Sequence, residues 1–214
     1  MLLIDELVFP VSPRRTVVVR GEQKTLKPYQ VVVWISVRPP AHFLPPTERD
    51  HLPRSAKTVA AVLDTGHNAT LALRDDDLVA AGLPEEEWRY NPSRARAMRD
   101  ASGEYNLVPT VLADVWIVSE PSADRAFTTV RLPLGNLGVN VYRKVPPAIG
   151  AHISADLWRK WLAEHGVSGQ ATPRTVAGPA LPLLGLGALC QGVLEIELQC
   201  CPHEVRLKVQ APGR

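Results

Sequence analysis

The segment Ala60-Ala61-Val62-Leu63-Asp64-Thr65-Gly66-His67-Asn68-Ala69-Thr70-Leu71 decides the fold. It begins as an apolar strand and stops at a single acid, which is followed by a hydroxyl residue and a glycine. A carboxylate at the end of an apolar strand is costly to desolvate unless nearby groups satisfy it, and Thr65 and Gly66 offer a hydroxyl and an unhindered backbone there. Two interpretations remain: an ordinary turn, since Asp, Thr and Gly all form turns, or a loop that presents Asp64 for chemistry.

A second segment near the end of the chain complements this loop. Leu183-Leu184-Gly185 leads into a short helical turn, and two alternating segments follow at 193–198 and 204–209. Strict alternation of apolar and polar residues predicts half-buried strands. The chain therefore carries an apolar-apolar-Asp-Thr-Gly strand early and an apolar-apolar-Gly segment entering a helix late.

In these segments, and in the stretch 98–117 between them, the chain resembles the single-lobed, retroviral-type aspartic peptidases, also called retropepsin-like. The resemblance covers about residues 30–142 and 181–209. It implies a mainly β fold, a retropepsin-like closed barrel of one lobe with short helices. We expect a single domain over residues 1–214.

The resemblance also implies a mechanism. Peptidases of this class use two carboxylates that share one proton, because two like charges at that distance cannot both ionise near neutral pH. The chain holds one Asp-Thr-Gly, so activity requires a homodimer that brings Asp64 against its own copy. By resemblance, Asp64, Thr65 and Gly66 are the catalytic residues, Thr65 ties the two loops together, and Gly66 lets a peptide or protein substrate approach. No cofactor is implied.

The residue after the glycine departs from the family, which usually has Ala or Ser where this chain has His67. One interpretation is that the imidazole crowds the dyad, or hydrogen-bonds an acid and shifts the pH dependence of activity. The other is that His67 points to solvent or packs beside the loop. We count His67 among the candidate substrate-binding residues.

Residues 97–108 contain a turn cluster between two strand-like arms, with Ser102-Gly103 at the predicted hairpin tip. By resemblance this hairpin is a flap that closes over bound peptide, and Ser102, Gly103 and Glu104 hydrogen-bond the substrate backbone. A plain surface hairpin without a ligand is the alternative.

Proline and charge patterns predict the elements around the loop. The chain contains twenty prolines. Five of them lie within residues 39–56 and predict a surface loop there, between strands at 29–37 and 58–63. Residues 75–83 form a predicted helix whose first-turn acids complement the helix dipole, which makes capping a better explanation of that acidic run than catalysis.

A segment over 143–180 exceeds what a compact peptidase of this type requires. Within it, residues 154–165 place Leu157, Trp158, Trp161 and Leu162 at helical spacing, which predicts an inserted helix that packs on its own domain or on a partner. The segments 1–11 and 204–210 alternate, and they pair either across a dimer or within one subunit.

Composition narrows the class of protein. The 214 residues are 45% hydrophobic and 21% charged with a net charge of +2, so no nucleic-acid partner is expected. No apolar stretch is long enough to span a bilayer, and the N-terminal apolar run lacks a basic lead, so we expect no membrane association. Cys190, Cys200 and Cys201 are predicted to be reduced thiols in the cytoplasm, and no metal site is expected.

Three functions are therefore open. The first is a homodimeric aspartic endopeptidase that hydrolyses peptide bonds with a water activated by the Asp64 pair. The second is a non-catalytic binding or assembly module of the same fold, with a closed site. The third is an unrelated small β protein in which Asp-Thr-Gly is only a turn.

Overall fold

The computed structural model describes residues 2–9, 15–27, 30–67, 69–83, 95–99, 105–119, 129–132, 138–142, 160, 163, 178–191, 194–201 and 204–211. The strands are β1 (Leu2–Phe9), β2 (Thr16–Val19), β3 (Glu22–Thr25), β4 (Val32–Arg38), β5 (Val59–Asp64), β6 (Leu71–Arg74), β7 (Ala95–Arg99), β8 (Tyr105–Val111), β9 (Asp114–Val118), β10 (Thr129–Leu132), β11 (Val139–Tyr142), β12 (Leu183–Gly185), β13 (Glu195–Cys201) and β14 (Glu204–Ala211). Two short α-helices, α1 (Asp75–Ala80) and α2 (Leu186–Cys190), and two 3-10 turns, Ala41–Phe43 and Pro46–Glu48, accompany them. The prediction of a mainly β protein is confirmed.

The main sheet has the strand order β10-β9-β4-β5-β12-β6-β11-β8-β7 and curls into a half-barrel. Strands β5 and β6 follow each other in the chain, yet they are not neighbours in this sheet. Strand β12, more than a hundred residues later, lies between them, parallel to β5 and antiparallel to β6. This insertion fixes the position of the loop that joins β5 to β6.

The inner face of the sheet holds the main core. Val33, Ile35 and Val37 alternate along β4 and are fully buried, and Leu71 and Leu73 of β6 are buried with them. Each fully buried aliphatic side chain of this size contributes about 1.5–3 kcal/mol relative to an exposed one. The strands that lead to the loop are therefore rigidly held.

The outer face of β4 and β5 is covered as well. Val17 and Val19 of the β2–β3 hairpin pack on Val32, Ala60 and Val62 in a second apolar cluster. Strand β5 is thus buried on both sides and delivers Asp64 to the surface from a fixed direction.

The predicted loop over 39–56 is mostly exposed, in agreement with its prolines. Leu52 is its buried anchor and packs against Trp116 and Val118 in a third cluster. A long loop can lie on the surface when one apolar side chain fixes it to the sheet.

Alternation in the sequence predicts a strand over 111–118 and another over 128–134, which residues 139–142 can continue; the structure divides both. The run over 111–118 breaks at Leu112–Ala113, because β8 pairs with β7 and β11 whereas β9 pairs with β4 and β10. Residues 139–142 likewise form a separate strand from β10, next to β6 and β8. Alternation alone does not distinguish one long strand from two strands in different parts of a sheet.

The chain ends pair within the single chain of this structure, which is one of the two pairings expected from sequence. Strands β1 and β14 are antiparallel neighbours, and β13 lies on the other side of β14 in a separate three-stranded sheet.

Of the predicted inserted helix over 154–165, the structure describes Lys160 and Ala163, both in helical conformation. The rest of that segment, and with it the predicted packing of the helix, lies outside the described residues. No helix in the described part of the chain has the length and apolar character needed to cross a membrane.

Candidate functional site

Strand β5 ends at Asp64 in a tight turn. The backbone N–H of Gly66 donates a hydrogen bond of 2.9 Å to Asp64 Oδ1, and the N–H of His67 donates one of 3.1 Å to the Asp64 carbonyl oxygen. A Cβ at position 66 would lie 3.2 Å from Asp64 Oδ1. Glycine therefore lets the turn fold tightly around the carboxylate without pushing it aside.

Asp64 is partly exposed at this turn. Within the described residues, Gly66 supplies its one hydrogen-bond donor. Thr65 is exposed directly beside it. The turn thus presents one carboxylate and one hydroxyl to solvent at the end of a buried strand.

Strand β12 supports the loop from behind. In the parallel register, Gly185 lies opposite Asp64. The N–H of Gly185 donates to the Thr70 carbonyl (3.0 Å), and the N–H of Leu186 donates to the His67 carbonyl (2.8 Å). These bonds connect the end of β12 and the start of α2 to the middle of the loop and to its far end.

Glycine is required at position 185 by close packing. A Cβ there would overlap the carbonyl oxygens of Ala69 and His67, which belong to the backbone and cannot rotate away. Gly187 is also tightly packed, since a Cβ would lie 2.9 Å from the Thr70 backbone nitrogen. The apolar-apolar-Gly pattern found in the sequence thus matches a real steric need.

The far end of the loop is joined to β11. The buried hydroxyl of Thr70 donates a hydrogen bond of 3.1 Å to the carbonyl of Gly138, which has a φ of +67° and lies directly before β11. A positive φ favours glycine at that position. The loop is therefore connected to two strands, β12 and β11, besides the two that it joins.

The His67 side chain packs beside the loop. Its Cδ2 would lie 2.8 Å from a Cβ on Gly185, so the ring edge rests against β12. Within the described residues, its Nε2 is buried and has no hydrogen-bond partner. Desolvation lowers the pKa of His67 below its ordinary value of 6.5, against the opposing effect of the nearby Asp64 charge. The imidazole is therefore neutral at pH 7.

A buried ion pair that sequence reasoning missed fixes the position of β12. Asp77, which is fully buried, accepts two hydrogen bonds of 2.8 Å from the Arg20 guanidinium, and Arg20 also donates to the carbonyls of Pro179 and Ala180 just before β12. Asp77 further accepts the backbone N–H of Arg74 at 2.8 Å. The Arg20 side chain thus links the β2–β3 turn, the first turn of α1 and the residues just before β12.

The acidic run before α1 is structural, in agreement with the capping prediction. Asp77 caps the first turn, and Asp76 pairs with Arg74 at 2.6 and 3.0 Å. Gly82 lies just after the helix end with a φ of +106°, a backbone conformation that favours glycine at this position. In the sequence, Arg20 stands directly before Gly21, which indicates a tight hairpin turn. Nothing in the sequence identifies Asp77 as the partner of Arg20.

The arms of the predicted flap are present. Strands β7 and β8 pair in antiparallel register from Ala95 opposite Pro109 to Arg99 opposite Tyr105. The predicted tip, Ser102, Gly103 and Glu104, lies outside the described residues, so its substrate contacts stay a prediction.

Within the described ranges, no three His, Cys, Asp or Glu side chains converge in a way that would hold a metal ion. Cys190 is an exposed free thiol at the end of α2.

No protein-family model, no curated protein and no solved structure matches this chain. The geometry of the loop between β5 and β6 is therefore the basis for assigning a function.

Proposed function

We propose that the chain is one subunit of a homodimeric aspartic endopeptidase, in which Asp64 from each copy forms the catalytic pair. The observation that carries this proposal is the Asp64 turn itself: a carboxylate at the end of a strand that is buried on both faces, in a turn supported by an inserted Leu-Leu-Gly strand. As part of this proposal, we expect the fold to be a closed, single-lobed, retropepsin-like barrel.

The rigidity of the turn supports a catalytic role. A catalytic group has to be held within a fraction of an ångström of its productive position, and groups fixed by secondary structure meet this demand better than groups on free loops. Asp64 is fixed by Gly66 on one side and, through the loop backbone, by Gly185 and Leu186 on the other.

The exposure of the turn supports it as well. Asp77 lies in the first helical turn after the next strand, β6, but is fully buried against Arg20, so it cannot reach a substrate. Asp64 is partly exposed, and its side chain makes one hydrogen bond to its own chain among the described residues. It can therefore accept a second carboxyl group and a water molecule.

In the proposed dimer the two Asp64 carboxyls share one proton. The ionised member takes a proton from a water held between them, and the protonated member donates to the oxygen of the scissile peptide carbonyl. The resulting tetrahedral species collapses with transfer of a proton to the leaving amine, without a covalent enzyme intermediate. Thr65 joins the two loops, and the hairpin β7–β8 with Ser102, Gly103 and Glu104 covers the bound peptide. A cytoplasmic location is part of this proposal.

The test is digestion of a peptide library by the parent and by Asp64→Asn, with products identified by mass spectrometry. Asn keeps the shape of the side chain and cannot share the proton, so we expect cleavage to fall by at least about 10³-fold. Asp50→Asn, a change at an exposed acid in the proline-rich loop, is the matched control and retains cleavage. Equal cleavage by parent and Asp64→Asn would overturn the proposal.

A second function, a non-catalytic binding or assembly module, is favoured by one observation. The His67 ring fills space against Gly185 directly beside the acid, with Nε2 desolvated. Analytical ultracentrifugation combined with the same digest separates the two functions, because a monomer that cleaves nothing supports the binding module.

A further inference from the structure

Strand β13 extends apolar side chains beyond the core of its own subunit. Side chains directly opposite each other on antiparallel strands share a face, and Ile196 lies opposite Val209 while Leu198 lies opposite Leu207. Val209 is fully buried on that face, whereas Ile196 is 38% and Leu198 62% exposed. The core side of the three-stranded sheet thus continues outward as an uncovered apolar strip.

The backbone of β13 is also available along one side. In the described part of the chain β13 pairs with β14 alone, on one of its two edges. Edge strands usually carry features that prevent pairing, such as prolines, bulges, charged side chains (above all lysine) or short length. Strand β13 is seven residues long, pairs with β14 in a regular register and has no proline, no lysine and no arginine; its charged residues are Glu195 and Glu197.

Other edges in the described sheets differ in this respect. Strand β1 has an irregular register between Leu3 and Asp5. Strand β10 has four residues and carries Arg131, which pairs with Asp114 at 2.7 Å. Strand β3 is short and polar throughout. Compared with these three edges, the β13 edge is longer or more regular and is the more open to another strand.

A second copy of the same chain is the partner that we assign to the β13 edge, because the proposed catalytic site requires one. The proposed function needs two Asp64 residues, and one chain supplies one. A two-fold axis makes the same patch face itself, so a strand edge that joins two copies has to be compatible with its own sequence in antiparallel orientation.

The sequence of β13 meets this condition in one full-length register. Centred on Leu198, the pairing aligns all seven residues, with Leu198 opposite Leu198, Glu197 opposite Gln199, and Ile196 opposite Cys200 of the second copy. Centred on Glu197 it would place two carboxylates against each other, and centred on Ile196 it would place Glu195 against Glu197. Like charges directly opposite destabilise a strand pair.

Hydrogen bonds within the subunit already hold the Glu197 carboxylate in a position compatible with that register. Glu197 accepts from the side-chain amides of Gln199 (2.6 Å) and Gln210 (2.9 Å), which hold its carboxylate over its own sheet. The Glu197 carboxylate thus has hydrogen-bond partners within its own subunit. In the Leu198-centred register it lies opposite Gln199 of the second copy.

We propose that two copies of this chain associate by antiparallel pairing of β13 with β13 across a two-fold axis at Leu198. This inference rests on the proposed function only for the identity of the occupant. The interface continues each three-stranded sheet into the other and covers Ile196 and Leu198 of both copies.

The test uses charges at the self-opposed position. Leu198→Lys and Leu198→Asp each place two like charges in contact across the axis, and we expect each to weaken dimerisation by about 100-fold in sedimentation velocity at matched concentration. Mixed in equal amounts, the two variants place Lys opposite Asp, and we expect a heterodimer in native mass spectrometry. Val18→Lys, a change at a comparably exposed strand residue (57%) in another sheet, is the matched control and remains a dimer.

The outcomes separate this inference from the proposed function. A dimer that persists in both Leu198 variants overturns the β13 interface and leaves the peptidase proposal to the Asp64→Asn digest. Monomeric variants whose mixture stays monomeric overturn the Leu198-centred register. A parent that is monomeric at high concentration overturns the interface and the homodimeric enzyme together, whereas a β13-paired dimer without cleavage overturns only the enzyme.

Discussion

Asp64 and Asp77 follow two buried strands of the same sheet, yet the structure uses them in opposite ways. Asp64 ends β5, is partly exposed and receives one hydrogen bond from Gly66. Asp77 lies in the first turn after β6, is fully buried and receives three hydrogen bonds from Arg20 and Arg74. The difference teaches that the supply of donors, rather than the residue type or its place after a strand, decides whether an acid remains available for chemistry.

The two acids are also connected. Arg20 holds Asp77 and, through the carbonyls of Pro179 and Ala180, the chain just before β12. Strand β12 in turn supports the Asp64 loop. The structural acid therefore helps to position the proposed catalytic one, and variants at each site have different expected effects on the free energy of unfolding.

The largest effect is expected for Gly185→Ala. The new Cβ would overlap two backbone carbonyl oxygens, so the loop or β12 has to move, and we expect a loss of about 4–5 kcal/mol in the free energy of unfolding, measured by urea denaturation. Gly21→Ala is the control, because φ is +77° there but nothing lies within 4 Å, and it costs about 1 kcal/mol. Equal losses at both positions would contradict close packing as the reason for Gly185.

A smaller but still large effect is expected for Asp77→Asn. The change leaves the Arg20 guanidinium, whose side chain is 14% exposed, without its charge partner, and we expect a loss of about 3 kcal/mol by urea denaturation. Asp75→Asn in the same turn changes an acid that is only partly buried and serves as the control, with a loss under about 1 kcal/mol. A negligible loss for Asp77→Asn would show that the buried pair does not hold the β12 approach.

His67→Ala is expected to change how stability depends on pH. The pKa of His67 in the folded chain lies below its ordinary value of 6.5, so the unfolded chain takes up the proton first. The contribution of neutral His67 is fully present above pH 6.5 and is lost as the pH falls from 6.5 through the folded-state pKa. In chemical denaturation at a series of pH values, the variant therefore loses less stability than the parent over that window.

The same variant addresses activity. If the imidazole influences the catalytic pair, the pH profile of cleavage by His67→Ala differs from that of the parent. Identical profiles, together with the altered stability profile, would limit His67 to packing beside the loop.

The smallest effect on stability is expected for Asp64→Asn. Since the carboxylate is partly exposed and Asn retains an acceptor for the Gly66 N–H, we expect the free energy of unfolding to change by less than about 1 kcal/mol. Under the proposed function we nevertheless expect Asp64→Asn to lose cleavage, whereas the main effect expected at Asp77 is on stability. A large destabilisation by Asp64→Asn would assign this acid the same structural role as Asp77.

Local sequence patterns predicted most elements next to the site. The strand ending at Asp64, the acid-capped helix α1, the proline-rich loop and the late Leu-Leu-Gly segment entering a helix are all present near their predicted limits. These features depend on short-range rules: alternation, helix capping and the φ restrictions of proline and glycine. The division of 111–118 into β8 and β9 was missed, because both pieces alternate and only their different neighbours in the sheet separate them.

Partners distant in the chain were beyond sequence reasoning. Nothing near Arg20 indicates Asp77, 57 residues away, and nothing near Leu198 indicates that its side chain extends beyond the core. Such pairings depend on which strands become neighbours, and many strand orders satisfy the same apolar pattern.

The sequence by itself determined the chemical content of the site: one carboxylate, one hydroxyl and one glycine after an apolar strand, with one such set in each chain. The tertiary structure decided which acid is partly exposed and which is buried, where β12 supports the loop, and which strands lie at the edges of the described sheets. The physical reason is that covalent neighbours set local conformation, whereas desolvation and hydrogen bonding depend on groups brought together from distant parts of the chain.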